Sequence, residues 1–247
     1  MNSTLVFSFR PSTLSTVAFL DETNSWLALL GRAHPDFSEW WIPPQGPGGD
    51  FVSFRNRNNI IERMGSDAKR LDAEYGVGAG GGRTSVASMV LTNAGCEKDW
   101  HRKGRVALYV NLGMGQLRLA ISVIDGAYRD PGALLWSLLS CTAEDSRVQF
   151  AQTNVRQKVG SELVLYSRDR APFPHRDYLG WMGYVNVALT QDQLPEAARL
   201  ERRGQGTLIL STEVLDLSDP HAVMQANQVE MRLVDLELLP VIDPALK

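Results

Sequence analysis

The chain has little of what would mark a special class of protein. Two cysteines, Cys96 and Cys141, are too few for a disulfide scaffold or a four-cysteine zinc site. One bridge between them is conceivable, but two free thiols in a reducing compartment are the expectation. There is no basic surplus of the kind a generic nucleic-acid binder carries: 25 Lys+Arg stand against 28 Asp+Glu, a net charge of −3. No apolar run approaches the ~18 residues a membrane span requires; Ala133-Leu134-Leu135-Trp136 is cut at Ser137. The first ten residues hold neither a basic leader nor a signal-length apolar block, so a cytoplasmic location is expected. The four histidines are scattered. Only His101, five residues after Cys96, lies near a cysteine, and one such pair without further ligands predicts no metal site. No Gly-x-Ser-x-Gly elbow or other known nucleophile motif is present.

What remains is ordinary globular material. Of 247 residues, 44% are hydrophobic, 21% charged and 8% aromatic, which argues against a wholly disordered chain. The length suits one large domain or two small ones at roughly 150 residues each; we read 1–247 as one domain. Leu5, Phe7 and Phe9 alternate as in a strand. Pro11-Ser12-Thr13-Leu14 opens a helix whose apolar face carries Phe19, Trp26 and Leu30, with Gly31 as its stop. Residues 42–50 form a turn-rich loop, 55–75 a polar surface helix, and 106–112 and 117–123 a hairpin joined at Gly113-Met114-Gly115-Gln116. Pro131 to Ala143 reads as a helix. Residues 148–155, 163–166, 178–189 and 207–212 read as strands, and 195–203 as a charged connection that begins helically. Asp219 caps the last helix, Pro220 starts it, and Ala222, Ala226, Val229, Leu233 and Leu236 form its buried stripe. Hairpins among flanking helices predict an α+β fold with a mainly antiparallel sheet. A strand–helix unit at each end hints at two similar halves, without an internal sequence repeat.

Three features invite a chemical reading. Gly76-Val-Gly78-Ala-Gly80-Gly-Gly82-Arg83-Thr84-Ser85 has enough glycine to cradle a phosphate. Arg83 stands where a P-loop has lysine, however, and Asp72-Ala-Glu-Tyr75 before it is no strand, so a plain loop is the expectation. Glu144-Asp145 is a carboxylate pair, and such a pair does acid–base work only when burial separates the two pKa values; a solvated helix end is the simpler reading. Trp40-Trp41 is an adjacent pair that one core cannot absorb from a regular strand. One indole can pack inward while the other sits at an edge, where Trp favours protein interfaces; that both cap a core edge is the simpler reading. Between residues 213 and 243, Glu213, Asp216, Asp219, Glu230, Asp235, Glu237 and Asp243 stand against Arg232 alone.

Four segments carry a family likeness: Phe9-Arg10-Pro11-Ser12; Pro35-Asp36-Phe37-Ser38-Glu39-Trp40-Trp41; Gly180-Trp181-Met182-Gly183-Tyr184-Val185 with Leu194-Pro195 downstream; and Gly206-Thr207-Leu208-Ile209-Leu210-Ser211-Thr212-Glu213 before the last helix. In that order and spacing the chain resembles immunity protein 52, a family of antitoxins in bacterial polymorphic-toxin systems. The middle, about residues 76 to 160, shows no such match, and Ile42-Pro43-Pro44 departs from the basic residue and glycine expected after Trp41. The resemblance implies a protein of bacterial competition that is not an enzyme and needs no cofactor. It implies a partner, a cognate toxin delivered by a type VI or similar machine, often a nuclease of restriction-endonuclease-like fold. Neither nucleic acid nor membrane would be bound directly, and the oligomeric state stays open. On this reading Trp40, Trp41, Glu213, Asp216 and Asp219 are the candidate partner contacts. The alternative is a small-molecule enzyme or ligand-binding protein using the glycine-rich loop 76–85 with Arg83, Glu144 and Asp145.

Overall fold

A computed structural model describes residues 1–44, 46, 48–76, 88–243 and 245. At its centre lies β1 (Asn2–Phe9). Its odd residues Ser3, Leu5, Phe7 and Phe9 point to one side and its even residues Asn2, Thr4, Val6 and Ser8 to the other, as the two-residue period of a strand requires. On one flank β1 pairs with β6 (Gln116–Ile121), on the other with β7 (Val148–Val159), both antiparallel. A register shift between Ser8 and Phe9 bends the β7 pairing at its end. Adding β4 (Ser88–Leu91), β5 (Val106–Asn111), β9 (Met182–Val185), β10 (Arg199–Arg203) and β11 (Gly206–Leu210) gives the order β10-β11-β9-β7-β1-β6-β5-β4. β8 (Glu162–Leu165) pairs with the far end of β7. Every named strand pair is antiparallel, and the architecture is α+β. A separate small ribbon joins β2 (Trp41–Ile42) to β3 (Val52–Ser53).

The two faces of the sheet meet different helices. The odd face of β1 is apolar and packs under α1 (Thr16–Ala33) and α5 (Pro131–Thr142). Trp26 of α1 is fully buried and stacks on Phe9 at 5.0 Å between ring centroids. The guanidinium of Arg147 lies 4.5 Å from the centroid of the same ring, held by Asp145 and Glu22. The even face is covered over one half only. There α7 (Pro220–Asp235) lays Val229 and Leu233 against Phe150, Val185 and Ile209 of β7, β9 and β11. Over the other half the outward residues Ser88, Val90, Tyr109, Gln116 and Arg118 are exposed. The opening and closing helices α1 and α7 thus lie on opposite faces.

Local chemistry explains the differences from the sequence reading. α1 starts at Thr16 rather than at Ser12–Thr13, because the Ser15 hydroxyl accepts the Ala18 N–H as an N-cap. It runs past Gly31 to Ala33. Residues 199–203, expected in a charged, initially helical connection, form the edge strand β10: Arg199, Glu201 and Arg203 share one face, and Glu201 bonds both arginines. A charged edge of this kind discourages pairing with other chains. The expected strand 178–189 shortens to 182–185 because Gly180 sits at φ 73°. The hairpin turn holds Gly115 at φ 66°, where a Cβ would meet the Phe9 carbonyl oxygen at 2.1 Å. The helix expected over 55–75 is α2 (Arg57–Tyr75). Strand β4 and the short α3 (Glu97–Arg102) had no counterpart in the sequence reading.

Candidate functional site

The uncovered half of the even face is a polar trough. Its floor is built by strand alternation: the residues that send Leu5, Leu117, Leu119 and Val155 into the core send their neighbours Thr4, Val6, Gln116, Arg118, Asn154 and Arg156 outward. The resulting pocket measures ≈ 440 Å³. Asn154 and Ser167 on its wall bond one another twice, Asn154 Nδ2 to Ser167 Oγ at 2.7 Å and Ser167 N to Asn154 Oδ1 at 3.2 Å. Gln152 accepts the Tyr178 N–H at 3.3 Å. Burial pushes the Tyr178 phenol up to about 12.

Behind this wall lies Glu230, a carboxylate on the buried face of α7 and 1% exposed. Its Oε1 accepts the N–H of Leu179 at 2.8 Å and of Gly180 at 2.9 Å, while Oε2 has no partner. Burial pushes its pKa up to about 7, against the opposing pull of those two amides and the Tyr166 hydroxyl. Gly180 leaves no room for a side chain there, since a Cβ would stand 2.0 Å from the Thr153 carbonyl oxygen. The contact therefore ties α7 to the Gly180–Val185 segment.

The second surface lies on the outer side of α7. Val159, Leu217, Pro220, Val223, Met224 and Met231 line a groove of ≈ 410 Å³ with Arg170 and Asn227 beside them. Met224 and Met231 are about half exposed, and Val214 nearby is 64% exposed. The chain entering α7 carries Glu213, Asp216 and Asp219. Asp219 caps α7 through the His221 N–H at 2.9 Å. Asp216 accepts from the Ser218 N–H, the Ser218 hydroxyl and Gln157, which hold its carboxyl below the usual range. Both acids thus shape the turn. Glu213 is exposed.

No family model and no curated protein matches the chain. A solved structure described as Pseudomonas aeruginosa T6SS protein PA0821 aligns over 94% of this chain and 72% of its own, at 14% identity and a TM-score of 0.44. A likeness this loose bears on neither activity nor partners. The expected likeness to immunity protein 52 gains no support from these comparisons.

The sequence candidates scatter. Trp40 is buried, packs on Phe37 and donates its indole N–H to the Phe37 carbonyl at 2.8 Å, so it offers a partner almost no surface. Trp41 is half-buried, lies against Gly95 and has the Lys103 ammonium 5.9 Å from its ring. It adjoins β4 through Thr92, whereas Asp216 is bonded to β7 through Gln157. In strand order β4 stands four places from β7, about 19 Å at the usual spacing, so the two groups form no common surface. Glu230, counted with the acidic stretch in the sequence, is removed from it: it occupies an inward position between Ala226 and Leu233 and serves the amides. Glu144 and Asp145 are spent on Arg32 and Arg147, and Arg147 lowers the Asp145 pKa, the opposite of what a general acid needs. Of the glycine-rich stretch only Gly76 is described; Arg83 and residues 77–87 lie outside the described residues. Both cysteines are free thiols. Among the described residues no helix is long and apolar enough to cross a membrane, and no cluster of three or more His, Cys, Asp or Glu is placed to hold a metal.

The sequence reading missed Glu230 and the trough. A Glu at the i+4 position from Ala226 and i−3 from Leu233, inside an apolar stripe, was the available signal for the first. Polar alternation in 116–120 and 152–156 was the signal for the second.

Proposed function

We propose that the chain is an immunity-type binding protein that captures and silences a cognate secreted toxin, a nuclease by preference, through the start of α7. The observation that carries this reading is the methionine-lined groove with Glu213, Asp216 and Asp219 on the adjoining loop. Methionine makes an adaptable apolar contact. The neighbouring acids match the basic cleft with which a nuclease holds phosphates, and they steer association. The four segments of the immunity protein 52 resemblance supply the choice of toxin as partner. All four contribute core residues in this chain, Phe9, Trp40, Trp181 and Leu208 among them, so they speak for a scaffold rather than an interface.

The test is protection. Cells producing the toxin domain encoded beside this gene survive when the chain is co-produced. Replacing Met224 and Met231 together by Asp removes protection while the purified variant keeps its circular dichroism spectrum and melting profile. Full protection by that folded variant would remove α7 from the interface.

A further inference from the structure

The trough on the uncovered half of the sheet has a charge character opposite to that of the whole chain. The chain carries a net −3, yet the residues lining the pocket include Arg118 and Arg156 and no Asp or Glu. Neither arginine has a carboxylate partner among the described residues. Arg118 has the face of Tyr109, 5.9 Å from its guanidinium, and lies close enough to Tyr178 to act on its phenol, and Arg156 has no ion pair or side-chain hydrogen bond. Arg32, Arg57, Arg147, Arg168, Arg199 and Arg203 each meet an acid, whereas Arg10, Arg63, Arg129 and Arg202 on the surface meet none among the described residues. What sets Arg118 and Arg156 apart is that both line one concavity that holds no acid.

Strand register places the pair. Arg118 lies opposite Val6 on β6, and Arg156 lies opposite Asn2 on β7, so they enter the trough from strands on either side of β1 and from opposite ends of its floor. Between them the lining offers hydroxyls and amides: Asn2, Thr4, Gln116, Ser122, Asn154 and Ser167. A guanidinium pairs with phosphate or carboxylate through two parallel N–H donors. Hydroxyls and amides between two such forks suit the polar body of a small ligand rather than an apolar one. The volume of ≈ 440 Å³ falls within the range of small-molecule sites.

We propose that this trough binds a small phosphate-bearing ligand, with Arg118 and Arg156 as its anion clamps and Asn154, Ser167, Thr4 and Gln116 holding its polar body. The site is separate from the α7 groove and does not depend on the toxin-binding reading. No reaction is assigned to it.

The probes are inorganic phosphate, ribose 5-phosphate and ribose, titrated into the full chain and followed by amide chemical shifts in NMR. The expected result is saturable shifts on β1, β6 and β7 with both phosphates, tighter for ribose 5-phosphate, and none with ribose. Arg118→Gln and Arg156→Gln should each weaken ribose 5-phosphate by about tenfold or more. Arg118→Lys, which keeps charge but loses the fork, should fall between. Arg199→Gln, on the distant β10 edge, should change nothing. Because Arg118 and Arg156 are exposed and free of ion pairs, these variants should melt as the parent does. Absence of shifts with ribose 5-phosphate at about 10 mM, equal binding by the double glutamine variant, or equal binding of ribose would each overturn the proposal.

Discussion

Glu230 makes stability fall as pH rises, and Glu230→Gln isolates the effect. The carboxyl's ordinary value is 4.5, and burial lifts it to about 7 in the folded chain. Between those values the folded chain holds a proton that the unfolded chain has released. Folding is then favoured by acid: the contribution is complete below about pH 4.5, shrinks through the window, and is gone above about pH 7. The rise corresponds to about 3 kcal/mol in full, and about 2.5 kcal/mol of it is lost between pH 5 and pH 8. Glutamine keeps an oxygen for the Leu179 and Gly180 amides and carries no titrating proton. Its NH₂ takes the place of the unpartnered Oε2, at an unsatisfied-donor cost of about 1–3 kcal/mol that does not vary with pH. The assay is urea unfolding of parent and variant at pH 5, 6, 7 and 8. The stability difference, variant minus parent, should move in the variant's favour by about 2.5 kcal/mol from pH 5 to pH 8. Other groups titrate as well: Asp177 is also raised by burial, and Asp145 and Asp216 are lowered by their partners. They act equally in both proteins and cancel in the difference. Parallel pH profiles would refute the reasoning, because they would mean that Glu230 is already ionised in the folded chain at pH 5.

Other outcomes follow from packing and strain. Trp26→Ala should cost about 3–5 kcal/mol in urea unfolding, since it empties a fully buried site against Phe9 and removes the ring on which Arg147 lies. Gly180→Ala should destabilise by about 2 kcal/mol or more, because φ is 73° and the added Cβ would collide with the Thr153 carbonyl; a thermal melt reads the loss. Trp40→Ala should destabilise by several kcal/mol, about 3–5 by the same core rule, while Trp41→Ala should cost clearly less. Equal losses in the two variants would contradict the inward–edge assignment. Glu201→Ala, on the half-exposed β10 edge, should change stability by less than about 1 kcal/mol.

Much of this architecture could be read from residue order because one physical signal dominated each element. Alternation announced β1, β5 and β6. The spacing of Phe19, Trp26 and Leu30 announced α1, and Asp219-Pro220 announced α7. Where two signals competed, the reading slipped. Arg199–Arg203 has five residues with four charges, which looks like a solvated helix until strand alternation gathers Arg199, Glu201 and Arg203 on one face. Gly31 looks like a helix stop, but the helix runs on to Ala33, and the glycine answers a packing need instead: Ser38 Cα would stand 3.2 Å from a Cβ built there. The candidate sites were less legible. Which acids stay on the surface depends on helix phase, and phase turned Glu230 inward. Which polar strand residues remain uncovered depends on where α7 lands, and that is settled by Phe150, Val185 and Ile209 packing against Val229 and Leu233, far apart in the chain.

Capture of a toxin through the start of α7 can be measured by titration calorimetry against a catalytically inactive form of the cognate toxin domain. Saturable binding is expected with a dissociation constant at nanomolar or below, about −12 kcal/mol or stronger, weakened at least about a hundredfold by replacing Met224 and Met231 with Asp. No heat and no co-elution at micromolar concentrations, or unchanged affinity in the Met224, Met231 variant, would contradict it.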